Sequence, residues 1–510
     1  MIPIVDHIVR PYLRYRMSKI ERFRSRPRHY QQQVFQSLLR KATGTAFGRK
    51  HHYSEITSYQ DYRDAVPVHT YLELYPYIER ALHGERNVLW PGRTRYFSKS
   101  SGTTQGRSKY IPVTKENLRH NHLKGAWDHM AVLYHHYPDI GIFHHRSLGL
   151  GGHLERPDDY PGVVIGDISA LMMHNMPGVA KPFFIPDSKI ALLPDWEEKI
   201  ERAARVGLQT DDVVLFGGVP TWNIVLFERM LEISGKSHML EIWPQLQVYF
   251  HGGVGIDPYK EIIKRLIPRD DFIWQEAYNA SEGMFGVQDV LHQDLGMLLM
   301  LDNSVFYEFI PFTDYETEHA RAIPLWEVEL DRDYVMLIST NAGLWRYIPG
   351  DVVRFSSLYP YRIRISGRTQ QFINAFGEEL MIHNADKALA LTCKSERAIV
   401  TEYTAAPTYI SKGNKGFHEW CIEFDKAPMS PERFARRLDH QLRKLNSDYD
   451  AKRSHDLALE CLQMHILPRG SFAAWLEKRG RIGSQTKVPR LANHRRYIDD
   501  LLQQQRIRIS

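Results

Sequence analysis

Between Val213 and Leu266 the chain twice repeats a buried strand, a glycine turn and a helix, and this grammar restricts the fold more than any other feature. Val213-Val214-Leu215-Phe216 is an unbroken apolar run that ends at Gly217-Gly218-Val219-Pro220, and helical spacing follows from about Trp222 to Leu231. Leu246 to Phe250, the turn His251-Gly252-Gly253-Val254-Gly255 and the helix-like Asp257 to Leu266 repeat it. Strands alternating with helices specify an α/β architecture with parallel strands, and ligands of such sheets bind beyond the strands' carboxyl ends. Both glycine turns are therefore expected at the binding face. At 510 residues the chain exceeds the ~250–300 that one core supports, so more than one domain is expected.

Composition narrows the class. A hydrophobic fraction of 43% and a charged fraction of 25% are those of an ordinary globular protein, and no apolar run approaches the ~18–20 residues of a membrane helix. Asp6, His7 and Arg10 interrupt the first apolar residues, which argues against a signal peptide and makes a cytoplasmic location the expectation. Cys393, Cys421 and Cys461 are widely spaced, so reduced thiols are expected and neither a disulfide framework nor a zinc site. The net charge of +6 is uneven: residues 1–50 carry twelve Lys and Arg against two acids, and residues 471–510 carry nine against three. Basic ends attract nucleic acid or anionic lipid. No aromatic-interleaved or zinc-finger pattern accompanies them, so solvated helix faces are the preferred reading and no nucleic-acid partner is expected.

One polar stretch stands out upstream. Ser98-Lys99-Ser100-Ser101-Gly102-Thr103-Thr104-Gln105-Gly106-Arg107-Ser108-Lys109 gathers hydroxyls, two glycines and cations just before the strand-like Tyr110-Ile111-Pro112-Val113. Backbone N–H groups near glycine can turn toward an anion while hydroxyls and Lys109 add donors, which makes a phosphate cradle. Three residues separate Gly102 from Gly106 and Arg107 follows, so this is not a Walker A loop. The same residue types also build plain surface loops.

The stretch resembles the Ser/Thr/Gly-rich ATP loop of adenylate-forming enzymes, the superfamily of acyl-CoA synthetases and firefly luciferase. Its closer resemblance is to the auxin-responsive-promoter family of acyl acid amido synthetases, known from plants and with bacterial relatives. Where that family often has Pro before the lysine, this chain has Ser108. Thr45-Ala46-Phe47-Gly48-Arg49 and Pro76-Tyr77-Ile78-Glu79-Arg80 resemble the same family's lead-in to the loop. The resemblance implies that Ser100, Ser101, Gly102, Thr103, Thr104 and Gly106 bind ATP and that Lys109 is catalytic.

Three further stretches occur in that family's order. Tyr278-Asn279-Ala280-Ser281-Glu282 is similar to the Tyr-x-x-Ser/Thr-Glu signature, preceded by the turn Gly252-Gly253-Val254 that in those enzymes borders the adenine. The resemblance implies Tyr278 stacked on the purine, Ser281 donating to the α-phosphate and Glu282 holding Mg²⁺. Arg346-Tyr347-Ile348-Pro349-Gly350-Asp351 resembles the Arg-Tyr-x-x-Gly-Asp stretch, which gives Asp351 the ribose hydroxyls, although Arg346 or Arg354 is an alternative structural partner for that carboxylate. Gly480 to Arg490 contains Gln485-x-Lys487-x-Pro489-Arg490, similar to a loop whose lysine the lid brings to the triphosphate, so Lys487 is the expected catalytic cation.

After the cradle, Leu123, Trp127, Met130, Ala131, Tyr134 and Tyr137 form one helical stripe. The resemblance puts Trp127, with Gly217, Gly218 and Trp222, on the acyl acid, although such a stripe is more often plain core. His120, His122, His129, His135, His136, His144 and His145 crowd this region without carboxylate or cysteine at ligand spacing, so a metal centre is not expected there. Ile363 to Gly367-Arg368 resembles the strand that joins the two domains, with Arg368 on the nucleotide and the hinge within a few residues of Gln370.

The expected architecture is thus α/β: a large adenylate-forming domain, residues 1–367, with mixed, largely parallel sheets, and a small α+β lid, residues 368–510. The expected reaction is ATP-dependent adenylation of a carboxylic acid with release of pyrophosphate, followed by acyl transfer to an amine, probable acceptor an amino acid, with ATP and Mg²⁺ as cofactors. Transfer to CoA, or ATP binding without catalysis, are the alternatives, and the sequence leaves the acid, the amine and the oligomeric state open.

Overall fold

The computed structural model describes residues 2–104, 107–315, 317–369, 371–410, 415–454, 459–478 and 488–509; the side chains of 2–8, 100–108, 258, 383 and 505–509 are not discussed. Two amphipathic helices open the chain. Ile2–Ser25 is longer than the apolar spacing at its start requires, because Leu13, Met17, Ile20 and Phe23 continue the stripe and are buried. Pro27–Ala42 begins with proline at its first turn, where the missing N–H costs nothing.

These helices wrap a mixed sheet of twelve strands among the described residues. Its order is Ile323–Pro324, Val305–Pro311, Asp333–Thr340, Asp351–Leu358, Tyr361–Arg368, Met297–Leu299, Gly283–Val287, Ile273–Ala280, Val248–Gly252, Val213–Gly217, Arg146–Gly149 and Phe184–Ile185. The strand, glycine turn and helix units are present. Val213–Gly217 leads to the helix Pro220–Ser234, and Val248–Gly252 leads through Asp257–Tyr259 to Lys260–Leu266. Parallel pairing is confined to this end, from Ile273–Ala280 to Phe184–Ile185, and every other ladder of the sheet is antiparallel. A largely parallel sheet is thus correct for one half only. The other half contains sequence neighbours joined by short connections, such as Asp351–Leu358 with Tyr361–Arg368, which leave no room for the crossover helix that parallel pairing needs.

The polar cradle is itself strand. Tyr96–Thr104 pairs antiparallel with Arg107–Val113, and a second sheet of four strands contains both. From Phe372 onward the chain builds different sheets: Ile399–Thr408 lies antiparallel to Phe417–Lys426, which pairs parallel with Gln463–Leu467. The helix Pro431–Leu445 is capped by Ser430 and buries Phe434, Leu438 and Leu442, as its spacing specifies. Cys421 is buried, Cys393 and Cys461 are partly so, and all three are free.

A buried ion network fastens the first helix to the large domain. Arg16 Nε donates to Asp128 Oδ1 at 2.7 Å and its Nη2 lies 3.3 Å from Asp302, while Lys124 Nζ lies 2.6 Å from Asp302. Removing one member strands a buried charge, which costs about 3–5 kcal/mol, whereas exposed pairs contribute about 1 kcal/mol or less. Arg16→Met is expected to move the urea midpoint of tryptophan fluorescence far more than Lys41→Ala, whose partner Glu116 is well exposed. Equal shifts would show that the first helix is not held by this network.

Candidate active site

Two donors from different strands converge on one carboxylate. Asp351 opens its strand directly after Gly350, whose φ of +105° favours glycine, and is paired in register with Arg368. Tyr278 Oη donates to Asp351 Oδ2 at 2.5 Å, and Arg368 Nε donates to Oδ1 at 2.8 Å. Burial alone would lower the pKa of Arg368, and Asp351 with Glu379, 3.8 Å away, reverses this and raises it. Neither alternative partner holds Asp351. Arg346 pairs with buried Glu308 at 3.0 Å, and Arg354 pairs with Asp333 on the neighbouring strand. Both arginines have a carboxylate partner on another strand of the sheet, and spacing along the chain does not reveal it.

Glu282 presents the opposite situation. It is buried, and among the described residues no cation lies within ion-pair distance of it. Burial pushes its carboxyl up to about 7; Lys109 opposes that shift and Asp351 adds to it. Burial lowers the pKa of Lys109, which Glu282 partly offsets, and the Lys109 ammonium lies 5.8 Å from the Tyr71 ring centroid. Tyr347, from the Arg-Tyr-x-x-Gly-Asp stretch, has a buried hydroxyl without a geometric hydrogen-bond partner, and burial and then Glu282 raise its pKa. Ser281 receives a hydrogen bond from buried Ser98 at 3.0 Å, which links the motif strand to the base of the cradle hairpin. Sequence reasoning singled out neither Ser98 nor Tyr347 as a site residue, although each sits inside a stretch that it did single out.

Gln105 and Gly106 lie outside the described residues, as does Lys487. For Ser100, Ser101, Gly102, Thr103 and Thr104 the backbone alone is described. It follows the hairpin, with the register shifting between Ser100 and Thr103.

The glycine turns sit at the carboxyl ends of adjacent parallel strands, as expected. A Cβ on Gly252 would lie 2.4 Å from the Ala277 carbonyl oxygen, and Gly253 has φ +81°, so neither position accepts a side chain without strain. Gly218, with φ +119°, ends the neighbouring strand after Gly217, and Val254 is buried. The region after the last strand of the large sheet docks here: Asn374 Nδ2 donates to Gly253 O at 3.0 Å and Thr221 Oγ1 to Phe376 O at 3.1 Å.

The aromatic candidates are engaged elsewhere. Trp222 stacks on Trp196 with centroids 3.5 Å apart, and Lys452 Nζ from the helix Ser447–Arg453 lies 3.7 Å from its ring centroid. Trp127 packs between Tyr12 and Phe143 in the core. Tyr278 is buried with Phe285 against it edge to face, besides its bond to Asp351.

The arrangement has the features of a nucleotide site: a carboxylate fixed by two donors, a buried carboxylate without a counter-ion among the described residues, a lysine whose charge acts on it, and a link from Ser281 to the base of the hairpin through Ser98. The fold is that of adenylate-forming enzymes. It is similar to the structure titled GH3.15 acyl acid amido synthetase, with TM-score 0.60 and 17% identity, covering 96% of this chain and 95% of that one. It is also similar to 2-hydroxyisobutyryl-CoA ligase in complex with 2-HIB-AMP and CoA, with TM-score 0.55 and 14% identity, covering 95% and 92%. The chain belongs to the GH3 family: residues 16–219 and 156–272 match its N-terminal domain, 298–368 its central domain and 383–496 its C-terminal domain. Indole-3-acetic acid-amido synthetase GH3.3 of Arabidopsis thaliana is 21% identical over 532 aligned positions, which cover 90% of this chain and 88% of the relative.

Glu282 supplies a pH signature. A buried carboxyl with pKa about 7 holds its proton longer than the unfolded chain, where carboxyls titrate near ~4.3. Folded protein therefore binds the extra proton between those values, and stability is lost as pH rises through that window. In metal-free buffer the thermal midpoint of the wild-type chain is expected to fall relative to Glu282→Gln from pH 5 to pH 7.5. A difference independent of pH would show that this carboxyl titrates normally.

Proposed function

We propose that the chain is an ATP-dependent acyl acid amido synthetase. It adenylates a carboxylic acid and passes the acyl group to an amine, with an amino acid as acceptor. The observation that carries this reading is the hydrogen-bonded set Tyr278, Asp351 and Arg368, with the charges of Glu282 and Lys109 acting on the same place and Ser281 next to Glu282, on a GH3 family chain. The names of the relatives, an indole-3-acetic acid-amido synthetase and an acyl acid amido synthetase, support the choice of amide over thioester.

In this reading Asp351 accepts from the ribose hydroxyls and the turn Gly252-Gly253-Val254 borders the base, with Tyr278 beside it. Ser281, Lys109 and the hairpin from Ser100 to Gly106 hold phosphate oxygens. Glu282 suits Mg²⁺, because a buried carboxylate without a cation gains most from one. Mg²⁺ bound there neutralises triphosphate charge. The acid's carboxylate oxygen forms a bond to the α-phosphorus as the bond to pyrophosphate breaks. The amine nitrogen then bonds to the acyl carbon, AMP leaves with the electron pair of the C–O bond, and the amine's proton goes to solvent. The chain's own work is electrostatic: cations and oriented N–H groups spread the charge that develops when an anion approaches a polyanion.

Residues 368–510 act as the lid in this reading, with residues 1–367 as the large domain. Three positions after Lys487, the Arg490 N–H donates to Gln371 Oε1 at 2.6 Å, and Gln371 is three residues beyond Arg368. That anchoring supports Lys487 as the cation that reaches the triphosphate.

Acid-dependent exchange of pyrophosphate into ATP tests the reading, with products then compared after adding CoA or mixed amino acids. Amide without thioester is expected, and no exchange with any acid would refute the activity. Lys487→Ala is expected to lose about 2–4 kcal/mol of transition-state stabilisation in adenylation, while turnover of a synthetic acyl-adenylate with amine survives. Single-turnover rates that fall equally in both half-reactions would remove the step-specific role of Lys487.

A further inference from the structure

Two buried polar atoms under the glycine turns have no partner. The helix Leu123–His136 lays His129 face to face on Phe250, with ring centroids 3.9 Å apart and planes at 20°. Its Nε2 is buried without a hydrogen bond, and burial holds the imidazole neutral, with its pKa pushed down to about 3. On the adjacent strand Gln275 is fully buried. Its Nε2 donates to the His129 carbonyl at 3.4 Å and the Gln288 carbonyl at 3.2 Å, and its Oε1 has no partner. Each unmet buried polar atom costs about 1–3 kcal/mol, so the pair is expected to meet a ligand or water.

The place of the pair tells what that ligand is. Phe250 is in register with Gln275 and Gly252 with Ala277, so the pair sits two residues, about 7 Å, below the glycine turn. Across the other ladder Phe250 faces Gly217, which presents no side chain. An acid whose carboxylate lies at the turn would bring its far end to this level.

We propose that His129 and Gln275 recognise a hydroxyl on the acyl acid, so that the substrate is a hydroxylated acid rather than a hydrocarbon one; this rests on the adenylating activity proposed above. A hydroxyl donates one proton and accepts others. It donates to Gln275 Oε1 and accepts from the neutral His129 Nε2–H, and so satisfies both atoms. A keto or ether oxygen only accepts and leaves Gln275 Oε1 unmet. A site built to bond a hydroxyl discriminates far more strongly than one that counts methylenes, by about 10⁴ against about 10–200.

The test is pyrophosphate exchange with acids differing by one group: phenylacetate against 4-hydroxyphenylacetate, 3-phenylpropanoate against its 4-hydroxyl and 4-methoxyl derivatives, and hexanoate against 6-hydroxyhexanoate. In the wild-type chain at least one hydroxylated acid is expected to exceed its parent and its methyl ether by about 100-fold or more in kcat/KM. In Gln275→Leu and His129→Leu that preference is expected to collapse to within about threefold, with KM for ATP unchanged. Exchange that proceeds equally with every pair in the wild-type chain overturns the proposal and leaves the two atoms to structural water. A preference that survives both variants also overturns it. If either variant does not fold, the acid series on the wild-type chain decides. Absence of exchange with every acid refutes the activity itself, and this inference with it.

Discussion

The Asp351 carboxylate is the constraint on which the site depends. It is buried, and a buried carboxylate is tolerated when it is paired and its lone pairs are used. Tyr278 and Arg368 meet that need from two different strands, one carrying the Tyr-x-x-Ser-Glu stretch and the other the last strand of the large sheet. One ionised group therefore fixes the relation between the motif strand, the Gly-Asp strand and the point where the chain leaves the large sheet. A neutral side chain at 351 would leave Arg368 buried beside Glu379 alone, at 3.8 Å.

Glu282 shows what the same interior does without such partners. Its carboxyl is raised to about 7 by burial, and Asp351 adds to that rise. Lys109 is the counterweight, yet burial lowers its pKa too, so the two groups are poised to respond to any cation or anion that enters. The cluster thus contains one carboxylate held in place by two donors and one carboxylate without a cation at ion-pair distance among the described residues.

The sequence carried the α/β grammar and the motif positions, because glycine turns and motif residues are local features. Ser430 before Pro431 and the stripe Phe434, Leu438, Leu442 marked a helix that forms where expected. It did not carry partnerships across space. Nothing near Asp351 distinguishes Arg368 from Arg346 or Arg354 as its partner, and the choice follows from strand register. The hairpin at the cradle is hidden for a related reason: Ser and Gly have weak strand preference, and the ladder there continues the register that pairs Tyr96 to Lys99 with Tyr110 to Val113. The stacking of Trp222 on Trp196 is likewise a partnership across space, since the two rings come from different helices.

That stack lies where the C-terminal region meets the parallel half of the sheet. Trp196 and Trp222 lie parallel, Lys199 Nζ lies 4.0 Å from the Trp196 centroid and donates to the Gly151 and Gly152 carbonyls, and Lys452 approaches Trp222 from the C-terminal region. Burial lowers both lysines, to about 8 and about 7, so the cation–π attraction at Trp222 is held against a desolvation cost of its own. Thr221 and Gly253 add single hydrogen bonds to the turn Asn374 to Gly377. Apolar contact accompanies these bonds: Tyr409 and Ile410 pack against the cluster beneath the parallel strands, with Tyr409 edge to face on Tyr259 at 6.0 Å. These contacts are what seats residues 372–377 and the helix Ser447–Arg453 against the glycine turns of the large sheet.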